Sequence, residues 1–486
     1  MASVLLIAVV ILLISLLQFY ATRTRKLPPG PYGLPFLGYA IFFDKHNITR
    51  TYDYLYKKYG SVVGLRNGLN DVVLISGWDA VNEALLNEDL AYRPRFKISM
   101  ELYPGESKGV LLNNGENWKV QRRFSLHNFR NLGFGKRSHE SVILEEADYL
   151  VKQLKQKNGA PVNVKVPIGV SGINILWAIL AGKRHDHNDP HLKKLVGLLN
   201  RSIQCGLITG GILNSFPFLR HIAPGYFGYT EIRNALEAIK DFVKESQAEH
   251  EATYNPNEMR DFIDLYIQEM RKDEKDASFT EKQMIALIGD LFIAGTETSS
   301  SVISFVILFM CKYPHLQDKL HENLDEVVGR ESVPTMDHRT RLSYVDAFLN
   351  EALRIRNPVG IAIPHYAQRT TTVMGQRIEE GTRVNINIHS VGMDKEYWGD
   401  PENFRPDRFI TPEGTLKKMD RFIPFGKGRR SCLGEALARM TSFLMFATLA
   451  HKLHFKFAPG ENPSDEGISG FTMSPPNFDV IATPRF

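Results

Sequence analysis

Ten residues near the carboxy end have the types and spacing to hold a reactive sulfur: Phe425-Gly426-Lys427-Gly428-Arg429-Arg430-Ser431-Cys432-Leu433-Gly434. A cysteine used as a small hydrophobe has apolar neighbours. Cys432 instead has glycines and cations, and Arg429 and Arg430 are expected to lower its pKa toward thiolate. The segment from Glu435 reads as a helix start, and a helix amino terminus also favours an anion. The glycines would let the backbone pass close to a flat ligand. A thiolate serves as a metal ligand or as a nucleophile. The second use needs a general base, and no histidine is close in sequence.

A second chemical segment is Ala294-Gly295-Thr296-Glu297-Thr298. Glycine and threonines lower helix propensity in a helix interior. A threonine hydroxyl there can bond the carbonyl four residues back and bend the helix. An acid beside it in an apolar helix is costly to bury. An alcohol and a carboxylate together are suited to proton relay. Two further pairs have helical spacing. Glu351 and Arg354 share a face, and as a surface pair they would be worth little. Trp118 and Arg122 are the other pair; by itself Arg122 reads either as a solvated charge on a basic helix or as a grip on an anionic group.

Together these residues resemble the cytochrome P450 superfamily. Its signature is Phe, two residues, Gly, one residue, Arg, one residue, Cys, one residue, Gly; Phe425, Gly428, Arg430, Cys432 and Gly434 fill each fixed place. The resemblance implies that Cys432 is the axial ligand of a haem iron, and thiolate ligation favours O–O cleavage. It implies that Ala294 and Gly295 border the haem, that Thr298 hydrogen-bonds the distal oxygen and that Glu297 feeds protons. Trp118, Arg122, His365 and Arg430 become expected haem and propionate contacts. Glu351, Arg354 and Arg408 become a structural triad. Asn114, Gly115, Gly470, Phe471 and Thr472 look like the large animal microsomal clan. The chain departs from the family where Pro is common (Asn357), where Arg is frequent (Tyr366) and where His is frequent (Gly392).

The elements that must position these groups are mostly helical. Thr280 and Gln283 have capping-box spacing, and a helix runs from there to Lys312, where Tyr313-Pro314 ends it. Its middle is nearly all apolar, so it is read as a buried core helix. A second membrane span is disfavoured by Glu281, Lys282, Asp290 and Glu297. Helical periodicity also marks residues 118–130, 142–157 and 232–251. Strand-like runs mark 62–74 and 377–387. The expected class is mainly α with smaller β-sheets (α+β), a single large haem domain of the cytochrome P450 fold with an amino-terminal membrane helix. Residues 1–21 are read as a transmembrane signal-anchor, being apolar, about long enough to span a bilayer and followed by Arg23, Arg25 and Lys26. A cleaved signal peptide would want a basic start and a small-residue cleavage site. Residues 22–50 are a basic, Pro-rich hinge and lead-in, and 51–486 the catalytic domain.

Composition agrees. Hydrophobic residues are 43% and charged residues 23% of the 486, as in globular proteins. A net charge of +5 does not suggest a nucleic-acid binder. Three cysteines, far apart, make neither a disulfide scaffold nor a zinc site. No Rossmann glycine fingerprint is present, so NADPH-derived electrons are expected through a partner. The resemblance implies NADPH–cytochrome reductase, with cytochrome b5 as a second donor, on the cytosolic face of the endoplasmic reticulum membrane. Lys119, Arg122, Arg123, Arg130, Lys136, Arg137, Lys417, Lys418, Lys427 and Arg429 form an expected basic docking face. The pocket is expected from residues 100–112, 291–294, 359–363 and 471–473, mostly apolar and fit for a lipophilic small molecule. The expected activity is monooxygenation with O2. Rival readings are a haem-thiolate isomerase or dehydratase acting on peroxides without a reductase, and a non-enzymatic haem or lipid-binding protein.

Overall fold

The computed structural model describes residues 2–23, 27–44, 46–96, 107–133, 139–206 and 211–486. Arg25, Lys26, Lys136, Arg137 and residues 100–106 of the expected pocket lie outside them.

The expected core helix runs Glu281–Lys312, with the Thr280 side chain accepting from the Gln283 N–H at the amino end. Among the described residues it is the one helix long and apolar enough to cross a membrane, but 78% of that apolar stretch is buried inside the fold. It is therefore a core helix. Helix Lys165–Leu180 packs along it, with Gly295 at the contact, where an added Cβ would come within 3.0 Å of Leu176. Helices Ser343–Ile355 and Glu435–Lys452 pack on its other sides, and Glu140–Lys155 covers the last of these. Phe305, Phe309, Phe348, Phe443 and Phe446 are fully buried there. Each such ring contributes roughly 1.5–3 kcal/mol.

The strand-like run 62–74 is a hairpin, Val62–Asn67 against Asn70–Ile75. Its turn needs Gly68, at φ 61. Alternation is weak because both faces are covered. Val62, Val73 and Ile75 face one apolar cluster, and Val63, Leu65, Val72 and Leu74 face another. The second strand pairs in parallel with Arg383–Ile386, which pairs antiparallel with His365–Tyr366. The sheet also holds the adjoining segment, with the Ala362 N–H on the Ile386 carbonyl (2.9 Å). Residues 28–39 lie against the same sheet, with the Gly64 N–H on the Pro29 carbonyl (3.0 Å) and the Tyr39 N–H on the Arg66 carbonyl (2.6 Å). The amino terminus forms a helix, Ala2–Arg23, whose leucines, isoleucines and valines are exposed.

Candidate active site

The described elements enclose a cavity of about 290 Å³. One wall is the core helix (Leu291, Ala294, Gly295, Thr298), and another is the strap Val359, Ala362 and Ile363. Val110, Leu111 and Phe471 close it, and the cysteine loop forms the remaining side. Each expected pocket segment thus contributes.

Cys432 is exposed, and what it is exposed to is this cavity. The loop is shaped by its backbone. Gly426 and Gly428 take φ of 71 and 74, a region that side chains disfavour. A Cβ on Gly428 would lie 2.3 Å from the Leu85 carbonyl oxygen. The Cys432 N–H donates to the Phe425 carbonyl (2.9 Å), and helix Glu435–Lys452 starts just beyond Gly434. The expectation that Arg429 and Arg430 lower the thiol pKa is corrected. Burial raises it, against the Gly434 N–H and the charges of Arg122 and Arg439. Arg429 turns outward toward Glu88 (3.5 Å), and Arg430 stacks on Trp118, 3.8 Å from its ring centre. Sequence adjacency does not put these guanidiniums beside the sulfur.

Arg430 and Arg122 instead join a third cation, Arg93, which the sequence reading missed. Arg93 donates to the Ile363 and Pro364 carbonyls, Arg122 to Ser431, and Arg430 to Ala91, Asn113 and Asn114. Among the described residues no carboxylate pairs with any of the three. Arg93 Nε and Arg430 Nη1 are buried with no partner. Burial, with repulsion from the neighbouring guanidiniums, pushes Arg93 down to about 9 and Arg430 down to about 8. Such a cluster lacks its anion. His365 lines the same cavity; its Nδ1 meets the Leu90 carbonyl at 2.7 Å, and burial with Arg93 and Arg430 holds its pKa well below the usual range. A planar ligand with two carboxylates on one edge fits this set: cations at the edge, Trp118 beside them, and a sulfur facing the cavity.

On the core helix, the Thr298 hydroxyl donates to the Ala294 carbonyl at 2.7 Å, as its position implied. Thr298 lines the cavity. Glu297 is buried but is not among the residues that line it. Burial raises its carboxyl to about 7, opposed by Lys165 and Ser301. Two acids do line the cavity, Asp346, which pairs with Arg339 at 2.8 Å, and Asp290, also missed. It accepts from the Val110 and Leu111 N–H groups (2.7 and 2.8 Å), and burial raises it to about 7. Gly109, at φ 78, has no Cβ to collide with its carboxylate. Its signal in sequence was one acid on the apolar stripe of a buried helix.

Asp290 gives a pH prediction. Its folded pKa exceeds its unfolded one, so ionisation costs stability as pH rises from about 4 to about 7, and the full penalty stays above that. Asp290→Asn keeps an oxygen for both amides and removes the penalty. Its melting temperature is expected to match or exceed wild type above neutral pH. Asp290→Ala also removes the penalty but strands two N–H groups, so it is expected to fall below the Asn variant by about 1–3 kcal/mol for each. Thermal melts across pH decide it: a difference between wild type and the Asn variant that does not change between about pH 4 and pH 8 would refute the protonated acid.

Glu351, Arg354 and Arg408 meet as a buried triad. Glu351 accepts from Arg354 at 2.7 and 2.8 Å and from Arg408 at 2.9 Å. The departures leave it intact, since Arg354 donates to the backbone carbonyl of Gly392 (2.6 Å) and needs no side chain there. The expected basic face is corrected in one member: Arg122 points inward. Lys119, Arg123, Arg130, Lys417, Lys418 and Arg429 are exposed, and Lys427 reaches Asn82 (2.7 Å).

The cytochrome P450 family model matches residues 28–482. Cytochrome P450 2G1 of Rattus norvegicus is 34% identical over 469 residues, 96% of this chain and 94% of that one. Cytochrome P450 2B4 of Oryctolagus cuniculus is 34% identical over 477 residues, 96% of each. Cytochrome P450 2J2 of Homo sapiens is 33% identical over 466 residues, 95% of this chain and 92% of that one. A cysteine facing an apolar cavity, an anion-seeking arginine cluster and a match across nearly the whole chain lead to one assignment: this chain belongs to the cytochrome P450 family, haem monooxygenases that use O2 and NADPH-derived electrons.

Proposed function

We propose that the chain inserts one oxygen atom into a lipophilic substrate, by hydroxylation or epoxidation, with a haem whose iron Cys432 Sγ would ligate. The supporting observation is the meeting, in one cavity, of Cys432 with buried guanidiniums that lack an anion. Arg93, Arg122, Arg430, Trp118 and His365 would hold the haem edge. Phe425, Gly428 and Gly434 shape the loop under it, and Ala294 and Gly295 keep the opposite wall thin. Bound haem supplies the oxygen-activating chemistry. The chain supplies position and protons. The Thr298 hydroxyl hydrogen rests on Ala294, which leaves its oxygen lone pairs free to accept from a proton-bearing group in the cavity. Glu297, raised to about 7 by burial, is divided between its protonated and ionised forms at neutral pH and so can both take up and release a proton. It stands off the cavity, so a water or a side-chain rotation must carry that proton to Thr298.

Leu291, Val359, Ile363 and Phe471 exclude water and hold an apolar substrate. Residues 1–21 anchor the chain in the endoplasmic reticulum membrane as a single span. Residues 22–50 serve as hinge and lead-in, and the catalytic domain 51–486 lies on the cytosolic side. NADPH–cytochrome reductase, and cytochrome b5 as a second donor, dock on the exposed cations.

The test is a reduced carbon monoxide difference spectrum of the full-length protein, followed by NADPH-driven turnover with a reductase. A strongly red-shifted Soret band and reductase-dependent product support the reading. Absence of the band in folded, haem-supplied protein removes it, and hydroperoxide turnover without NADPH would favour the isomerase reading. Thr298→Ala is expected to keep the band yet lower the product rate by about 10²-fold or more, with the electrons appearing as hydrogen peroxide, the size usual for loss of a proton-transfer group. Unchanged coupling of NADPH to product would count against the relay.

A further inference from the structure

Asn357 begins the strap that runs along the cavity, two residues after helix Ser343–Ile355 ends. It is 5% exposed and uses both halves of its amide. Oδ1 accepts the Val359 N–H at 2.9 Å, and Nδ2 donates to the Pro424 carbonyl at 3.0 Å. Pro424 precedes Phe425, whose carbonyl accepts the Cys432 N–H. The strap's other fixings lead elsewhere: the Ala362 N–H donates to Ile386, and the Pro358 carbonyl accepts from Met473. Among the described residues, Asn357 Nδ2 makes the one hydrogen bond that ties the strap to the cysteine loop.

We propose that Asn357 is a positioning residue that couples the substrate-side wall at Val359 to the loop carrying Cys432. The inference rests on the reading of Cys432 as haem ligand. An apolar side chain can serve neither arm. A proline here has neither donor nor acceptor on its ring. An ionised carboxylate keeps the acceptor arm toward Val359 and loses the donor arm toward Pro424. The two arms are therefore separable by substitution.

The experiment uses the full-length, haem-loaded protein as wild type, Asn357→Asp and Asn357→Leu, at alkaline pH where the new carboxyl is ionised. Three readouts are taken: the rate at which moderate urea converts the red-shifted carbon monoxide band to an unshifted one, the affinity for phenylimidazole, and the melting temperature. Asn357→Asp is expected to lose the red-shifted band about five-fold faster, the effect of one buried hydrogen bond, with phenylimidazole affinity within about two-fold of wild type. Asn357→Leu is expected to lose the band as fast and also to bind phenylimidazole about five-fold more weakly. A lower melting temperature with wild-type band loss in Asn357→Asp would overturn the proposal, because it would mark a merely structural residue. Failure of both variants to accumulate as folded protein would overturn it for the same reason. A wild type with no red-shifted band would instead sink the haem-thiolate reading on which the proposal stands.

Discussion

Cys432→Ala is expected to yield a folded chain whose red-shifted carbon monoxide band falls to background and whose NADPH-driven product disappears. The fold should tolerate the change because the loop is held by its backbone. The Cys432 N–H to Phe425 bond and the positive φ of Gly426 and Gly428 do not involve the sulfur. The thiol faces the cavity, so its removal strands no packed neighbour, and the lost contact is worth at most about 1 kcal/mol. What disappears is the donor atom. Arg93, Arg122 and Arg430 remain and can still attract an anionic ligand, so weak haem association without the red shift is the expected residue of binding. Circular dichroism melts of the two proteins, run beside their spectra, separate loss of ligand from loss of fold. A retained red-shifted band would mean that another group ligates the iron. His365 lines the same cavity and is the imidazole donor there, with its Nδ1 already on the Leu90 carbonyl and Nε2 left to bind.

The parts of this site that sequence made legible are those set by near neighbours. The cysteine loop carries its own glycines, and the core helix carries its own cap at Thr280 and its own stop at Tyr313. Thr298 reaches Ala294 because helical geometry fixes that pair wherever the helix lies. Glu351 and Arg354 meet for the same reason. The illegible parts depend on the path of the chain between elements. Arg93 joins Arg430 only because the segment after Leu90 crosses the cysteine loop. Arg429 and Arg430 flank Cys432 in sequence, yet one points to solvent and the other lies on Trp118. Glu297 and Asp290 illustrate the same limit on one helix. Both are acids on an apolar stretch, but which of them faces the cavity is decided by the rotation of the helix against Lys165–Leu180 and the 109–111 loop. The hairpin at 62–75 hid its period because two clusters cover its two faces.

Glu351→Ala is expected to have the largest effect on stability. Glu351 is fully buried, and Oε1 alone accepts from Arg354, Arg408 and the Arg405 N–H, at 2.8, 2.9 and 2.8 Å. Oε2 takes the Arg354 Nε at 2.7 Å. Removing the carboxylate leaves two buried guanidiniums with no counter-charge on that side. Breaking such a pair costs about 3–5 kcal/mol, against a total of about 5–15 kcal/mol for a whole domain. The damage spreads along a defined route. Arg408 also holds the Trp398 carbonyl, and Phe404, stacked 4.1 Å from Phe309, clamps the same segment onto the core helix. Loosening that segment frees the region that leads into the cysteine loop, so haem retention should fall together with stability. Glu116→Ala is the control. Glu116 pairs with Lys119 at the same i, i+3 spacing and a similar 2.8 Å, but both side chains are exposed, and such pairs are worth about 0–1 kcal/mol. Urea denaturation of the two variants should differ several-fold in free-energy loss. Equal losses would mean that burial gives the triad no special weight, and that the pocket is held by its apolar packing alone.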